Sequence, residues 1–229
     1  MAGPFDVESF ARLAEALDRW LDQAVIIGGW AHRLYRLYPL AQALDYTPLG
    51  TFDADIAVPL DLPATGERLR ARLLERDFRE ELRGDMQPPI THYRVRSGDN
   101  SSYAESLTPL AGSAVKRGAR RDLTARVECV SVQKLRHLEL LLQNPWDVMI
   151  APATGLPTAG VRRILVPSPA AFLVQKILIH EKRNRGRRAK DVLYLHDTFE
   201  AFGGNLAAIG EQWQTNVRPA MHAKSTPAV

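Results

Sequence analysis

Asp53 and Asp55 stand two residues apart in the segment TFDADIAVPL. Its alternation places Phe52, Ala54, Ile56 and Val58 on one face of a strand and both carboxylates on the other. Residues two apart on a strand share a face, with Cα atoms roughly 6–7 Å apart. The pair can therefore converge on one or two Mg²⁺ ions, which activate an attacking oxygen and stabilise a leaving pyrophosphate. Without a cation between them, two like charges on one strand face repel and are poor choices for stability. Upstream, the short apolar strand AVII runs into Gly28 and Gly29, and WAHRLYRLY then reads as a helix that stops at Pro39. Glycines at that junction remove side chains where a helix begins, so a triphosphate can approach backbone N–H groups and the positive end of the helix dipole. Asp-x-Asp and Gly-Gly are each common on their own. The order strand, Gly-Gly turn, helix, acidic strand is the informative feature.

Other elements must hold these parts in place. Asp6 reads as the N-cap of a helix carrying Phe10, Leu13, Leu17, Trp20 and Leu21. LAQALDYTPLG, between the glycines and the aspartates, is loop-like. After Pro59 a charged amphipathic helix is expected, with Leu69, Leu73, Leu74 and Phe78 on its apolar side, broken by QPP. HYRVR, the turn SGDN and SSYAESL read as a hairpin. TARVECVS is a further strand, in which Cys129 reads as a buried small hydrophobe. Ser131 reads as the N-cap of a helix VQKLRHLELLLQ that ends before Pro145. RRILVP is a short strand, and Ser168-Pro169 opens the helix AAFLVQKILIHEKR. A second helix starts near Ala189, a last one covers about Leu206 to Trp213, and the tail AMHAKSTPAV is expected to be disordered. The pattern predicts a mixed α/β (α+β) chain with a soft boundary near Val166, dividing it into residues 1–166 and a helical part, 167–229.

Composition bounds the rest. Apolar residues make up 45% of the 229, enough for a core, and charged residues, Pro or Gly interrupt every apolar run before it could span a membrane. With no secretory leader legible in MAGPFDVESF, a cytoplasmic protein is expected. One cysteine excludes an internal disulfide and a multi-thiolate zinc site, and the six histidines show no metal-ligand spacing. The net charge is only +4, yet of 30 basic residues just six are lysine. Arginine is the better bidentate partner for phosphate. Two clusters stand out: Arg117, Arg120 and Arg121, and then Lys182, Arg183, Arg185, Arg187, Arg188 and Lys190. Such runs commonly coat a solvated surface, and here they permit an anionic substrate.

VIIGGWAHRLY followed by TFDADIAV resembles the signature of the DNA polymerase β-type nucleotidyltransferases, with a longer gap between glycines and aspartates than is usual there. The resemblance implies a polymerase β-like sheet with flanking helices, an NTP substrate, Mg²⁺, and a third carboxylate on a neighbouring strand. Glu105 in YAESLTPL fits that third position, because a hairpin following the first strands pairs most easily beside the Asp strand; Glu128 in RVECVSV is its rival.

In the second half, Lys176 interrupts an apolar helical run of Leu173, Val174, Ile177, Leu178 and Ile179. A lysine there costs stability unless it snorkels to water or meets an anion. Asp191 near a helix start is otherwise explained by the helix dipole. LVQKILIHEKRNRGRRAKDVLYLHD is, however, similar to a motif of AbiEii-like nucleotidyltransferases, which include toxins of type IV toxin–antitoxin systems. That resemblance implies that Lys176, Lys190 and Asp191 complete a site in a cleft between the two halves. It further implies a tRNA 3′ end as acceptor and an antitoxin protein as partner. The expected site is Asp53, Asp55 and Glu105 for metal, Gly28, Gly29 and Lys190 for the nucleotide, and Lys176 with Asp191 for phosphate charge. A small-molecule acceptor of the aminoglycoside type, or a catalytically silent nucleotide- or RNA-binding protein of the same fold, are the alternatives.

Overall fold

The computed structural model describes residues 6–62, 68–95, 102–115 and 122–221. The SGDN turn, the cluster of Arg117, Arg120 and Arg121, and most of the C-terminal tail lie outside these residues.

The chain builds a mixed α/β fold on one mixed sheet, nine-stranded among the described residues. Helix α1 (Val7–Ala16) starts where the Asp6 carboxylate accepts the Ser9 N–H at 2.7 Å. Strand β1 (Val25–Ile27) leads directly into α2 (Gly28–Tyr35), and β2 (Asp53–Ala57) returns antiparallel to β1. Stacking of Phe10 on Trp30 at 3.9 Å fastens α1 to α2, and both side chains are fully buried. Strand β5 (Tyr103–Pro109) pairs parallel to β2 on its other side, and β4 (Ile90–Val95) pairs antiparallel to β5 as the expected hairpin. Strand β9 (Arg162–Val166) lies parallel to β1, and the long helices α4 (Pro169–His180) and α5 (Arg185–Phe202) follow it. Helix α6 (Leu206–Gln212) and two further helical turns complete the described C-terminal stretch. No helix of the described residues is long and apolar enough to cross a membrane.

Three sequence expectations are corrected. Phe78 does not extend the amphipathic helix: α3 (Leu69–Glu75) ends, Asp77 takes a left-handed φ of 67°, and β3 (Phe78–Arg83) begins. It is an edge strand, and its charged sequence FREELR suits an edge that must not recruit another strand. Ser131 caps no helix. Strands β6 (Thr124–Val127) and β7 (Val130–Leu135) form a hairpin, with β7 also parallel to β5, and only the short 3₁₀ turn Glu139–Leu142 is helical. Buried β-branched Val130 and Val132 favour the strand, and His137 at φ 62° separates it from the leucines. Cys129 is exposed, because it and Glu128 form the left-handed turn of that hairpin. Strand β8 (Trp146–Ile150), the opposite edge strand, has a strictly alternating burial and was not among the expected elements.

Candidate active site

Sheet register assembles the acidic face. Ile27 lies opposite Asp55 in the β1–β2 pair, and Asp55 lies opposite Glu105 in the parallel β2–β5 pair. Cross-strand partners share a face, so Asp53, Asp55 and Glu105 project from the same side of the sheet. Glu128 lies in the turn of the β6–β7 hairpin and does not line the cleft that holds Asp53, Asp55 and Glu105.

Gly28 directly follows Ile27 and therefore sits over Asp55. Its φ is +65°, and a Cβ there would lie 2.4 Å from Asp55 Oδ2. Both the backbone conformation and the space demand glycine. At Gly29 a Cβ would lie 2.7 Å from both Thr51 Cβ and the Tyr194 hydroxyl, so α2 can begin flush against the acidic strand only without side chains.

Asp55 is half-buried at the edge of the cleft. Burial, and then the charges of Asp53 and Glu105, hold its carboxyl well above the usual carboxylate range, while Lys176 pulls it back down. Asp55 and Glu105 share a side-chain hydrogen bond. Asp53 Oδ1 accepts from the Thr51 hydroxyl at 2.5 Å. Glu105 Oε2 lies 3.4 Å from His92 Nε2, and the His92 ring is stacked on Tyr103 at 4.0 Å. Among the described residues no three His, Cys, Asp or Glu side chains are already arranged to hold a metal ion. The donor chemistry nonetheless suits one: three carboxylates on one face form a hard, oxygen-only ligand set.

Helices α4 and α5 form the opposite wall. Lys176 does not snorkel: it is 6% exposed, and its Nζ lies 3.1 Å from Oδ1 of Asp191, itself 1% exposed. The other oxygen of Asp191 lies 3.2 Å from Arg183 Nε. Burial depresses the Lys176 ammonium below its ordinary value, and Asp191 counters that pull. Lys176 also stands over the rings of Phe172 and Tyr194, at 5.2 and 5.3 Å, and Lys190 over Tyr194 at 5.5 Å. Between the helices the chain turns sharply. Asn184 caps α5 by accepting from Arg187 N, and Arg188 donates to the carbonyls of Glu181 and Arg183. Arg188 thus secures the turn, while Lys182, Arg183, Arg187 and Lys190 line a cleft of about 450 Å³.

That cleft also takes in Gly28, Asp53, Asp55, Glu105 and Lys176, so six Lys or Arg side chains, Arg136 included, face three carboxylates. Gly29 and Asp191 stand immediately behind its lining, touching Tyr194 and Lys176 respectively. Negative charge on the sheet wall with excess positive charge around it matches a polyphosphate brought to a cation-binding carboxylate face.

A model of a nucleotidyltransferase family matches residues 6–218. The chain belongs to that family. Among solved structures, it is similar to an antigenic nucleotidyltransferase-like protein from Paracoccidioides brasiliensis, at 16% identity and a TM-score of 0.43, over 99% of this chain and 94% of that one. No curated protein matches the chain.

Several parts of this cleft are not legible in the sequence. Tyr194 has a buried hydroxyl with no hydrogen-bond partner among the described residues, and burial followed by the charges of Asp53 and Asp55 raises its pKa. Its place beneath Gly29 arises from tertiary packing that local sequence does not show. The same is true of the His92–Tyr103 stack. Gln175 was legible, since it interrupts the same apolar run as Lys176.

Proposed function

We propose that the protein is a metal-dependent nucleotidyltransferase that moves a nucleotide from an NTP to an acceptor hydroxyl. The observation that carries the reading is the register Ile27–Asp55–Glu105, which puts Gly28 and three carboxylates on one face opposite Lys176. Asp53, Asp55 and Glu105 would hold Mg²⁺. When bound, the ion supplies positive charge to the phosphates and acidifies the acceptor hydroxyl. The acceptor hydroxyl loses its proton to water in the open cleft, its oxygen attacks the α-phosphorus in line, and pyrophosphate leaves with the electron pair of the broken P–O bond. Gly28, lacking a side chain, keeps the space above Asp55 open, and the first N–H groups of α2 face the phosphates. Lys176 neutralises charge on the triphosphate. Asp191 is a positioning residue: its two oxygens hold Lys176 and Arg183. Lys182, Arg187 and Lys190 attract the polyphosphate.

The AbiEii-like motif around Lys176 and Asp191 supports a toxin-like enzyme of the cytoplasm that modifies a tRNA 3′ end and is restrained by an antitoxin. The positive cleft favours a polyanionic acceptor and repels a polycationic aminoglycoside. The proposed division is a nucleotidyltransferase part, residues 1–166, and a helical part, 167–229. The test is incubation of each α-³²P-labelled NTP with total tRNA and with cell lysate, with and without Mg²⁺. Labelled tRNA that requires Mg²⁺ and Asp55 supports the reading. NTP binding without transfer to any acceptor supports a silent nucleotide-binding protein instead.

A further inference from the structure

Beside its charged groups the cleft carries lining of different chemistry. Phe172, Gln175, Lys176 and Ile179 follow one another at helical spacing on α4 and all line the cleft. Gln175 is 7% exposed and makes no side-chain hydrogen bond to another described residue. The residue is buried, but its amide nitrogen and oxygen are not sealed off from solvent, so the polar end is open to the cleft and to whatever occupies it. The lining beside it is apolar, from Leu138 and Leu141 together with Phe172 and Ile179. A flat group with apolar faces and hydrogen-bonding edges suits such a subsite, and a nucleobase has both.

We propose that Gln175 is the residue that reads the base of the incoming NTP. The inference rests on the nucleotidyltransferase reading above and adds to it the determinant of base choice. Gln175 adjoins Lys176 in sequence, and a base lies only one ribose from its α-phosphate. A phosphate held by Lys176 therefore leaves the base within reach of the neighbouring amide. The amide presents an acceptor beside a donor, which pairs bidentately with a base edge offering the complementary order. A wrong base leaves buried polar groups unpaired, and that penalty discriminates more strongly than a lost apolar contact.

The test is equilibrium binding of the four α,β-methylene ribonucleoside triphosphates, in magnesium chloride, to the wild-type chain and to Gln175→Leu and Gln175→Met. These probes bind without being turned over. The wild type is expected to bind one of them at least about tenfold tighter than the weakest, the scale of one good bidentate contact. Both variants should lose about tenfold for the preferred probe and keep the others within about twofold. Unchanged order and spread in the variants, or equal binding of all four by the wild type, overturns the inference and leaves nucleotidyl transfer standing. A wild-type chain that binds none of the four overturns both.

Discussion

Gly28→Ala separates the two reasons for glycine at the head of α2. The first is backbone conformation: φ is +65°, and a left-handed L-residue costs about 1–2 kcal/mol. Alanine also restricts the unfolded chain, which returns about 0.4–1 kcal/mol, so conformation alone leaves a net loss near 1 kcal/mol. The second reason is contact, since the new Cβ would lie 2.4 Å from Asp55 Oδ2. Relieving that overlap must turn the half-buried Asp55 carboxylate or shift the strand, at about 1–3 kcal/mol for overpacking. Gly112 supplies the control, with φ +73° and nothing within 4 Å of its Cβ position. Gly112→Ala should therefore lower Tm by about 2–4 °C, and Gly28→Ala by roughly 4–16 °C, from the usual shift per kcal/mol at this chain length. Transfer should respond more sharply, because a displacement near 1 Å at the reacting centre costs about a hundredfold in rate. The assays are thermal melts without divalent metal and initial rates of labelled-NTP transfer. Equal melting of the two variants, with wild-type transfer by Gly28→Ala, would refute the close approach of Gly28 to the acidic strand as part of the site.

Three further outcomes follow from the charges around the cleft. Asp53→Ala or Asp55→Ala should abolish transfer, while Asp55→Asn should melt progressively higher than the wild type without Mg²⁺ as pH rises above the ordinary carboxylate range, since the raised Asp55 pKa means its folded-state stability falls as pH rises; transfer surviving in both alanine variants would remove the assigned site. Lys176→Met should slow transfer about a hundredfold or more. It should also destabilise, as Asp191 is then left buried with Arg183 alone; unchanged stability in urea titrations would contradict that pairing. His32 is buried, which lowers its pKa from 6.5 to about 4, so its contribution is complete above pH 6.5 and lost as pH falls toward 4. The loss totals about 3 kcal/mol, and His32→Leu should show a correspondingly weaker acid dependence of its urea midpoint; equal dependence in the two proteins would refute it.

How far the site could be read from sequence depended on whether its signal was local. Asp53, Asp55, Gly28 and Gly29 announce themselves through alternation and a turn, because strand period and glycine placement are properties of a few neighbouring residues. Glu105 needed only the rule that a hairpin pairs beside the preceding strand, and the register puts it opposite Asp55. The strand–helix confusion at 130–142 had a different cause. VSVQKL and LRHLELLL carry opposite periodicities in one run, and His137 at φ 62° marks a break that histidine does not announce. Asp191 illustrates the remaining gap. In sequence it looks like a dipole partner at a helix start, whereas its burial between Lys176 and Arg183 depends on how α4 and α5 close against each other.

The long gap between glycines and aspartates has a structural account of the same kind. The segment after α2 is tied across to α5: Gln42 N–H donates to the Ala201 carbonyl at 2.8 Å and its side chain to the Glu200 carbonyl at 2.6 Å. Tyr46 donates to Asp197 at 3.0 Å, and Asn205 donates to the Leu40 carbonyl at 2.8 Å. The same segment then delivers Thr51, which holds Asp53 and packs beneath Gly29, straight into β2. One stretch of chain therefore fixes the acidic strand and the helix that carries Asp191, the anchor of Lys176. A shorter connection would carry the chain from α2 to β2 without reaching α5, and the two walls of the cleft would lose a set of direct hydrogen bonds that hold them in register. The extra length belongs to the positioning of the site.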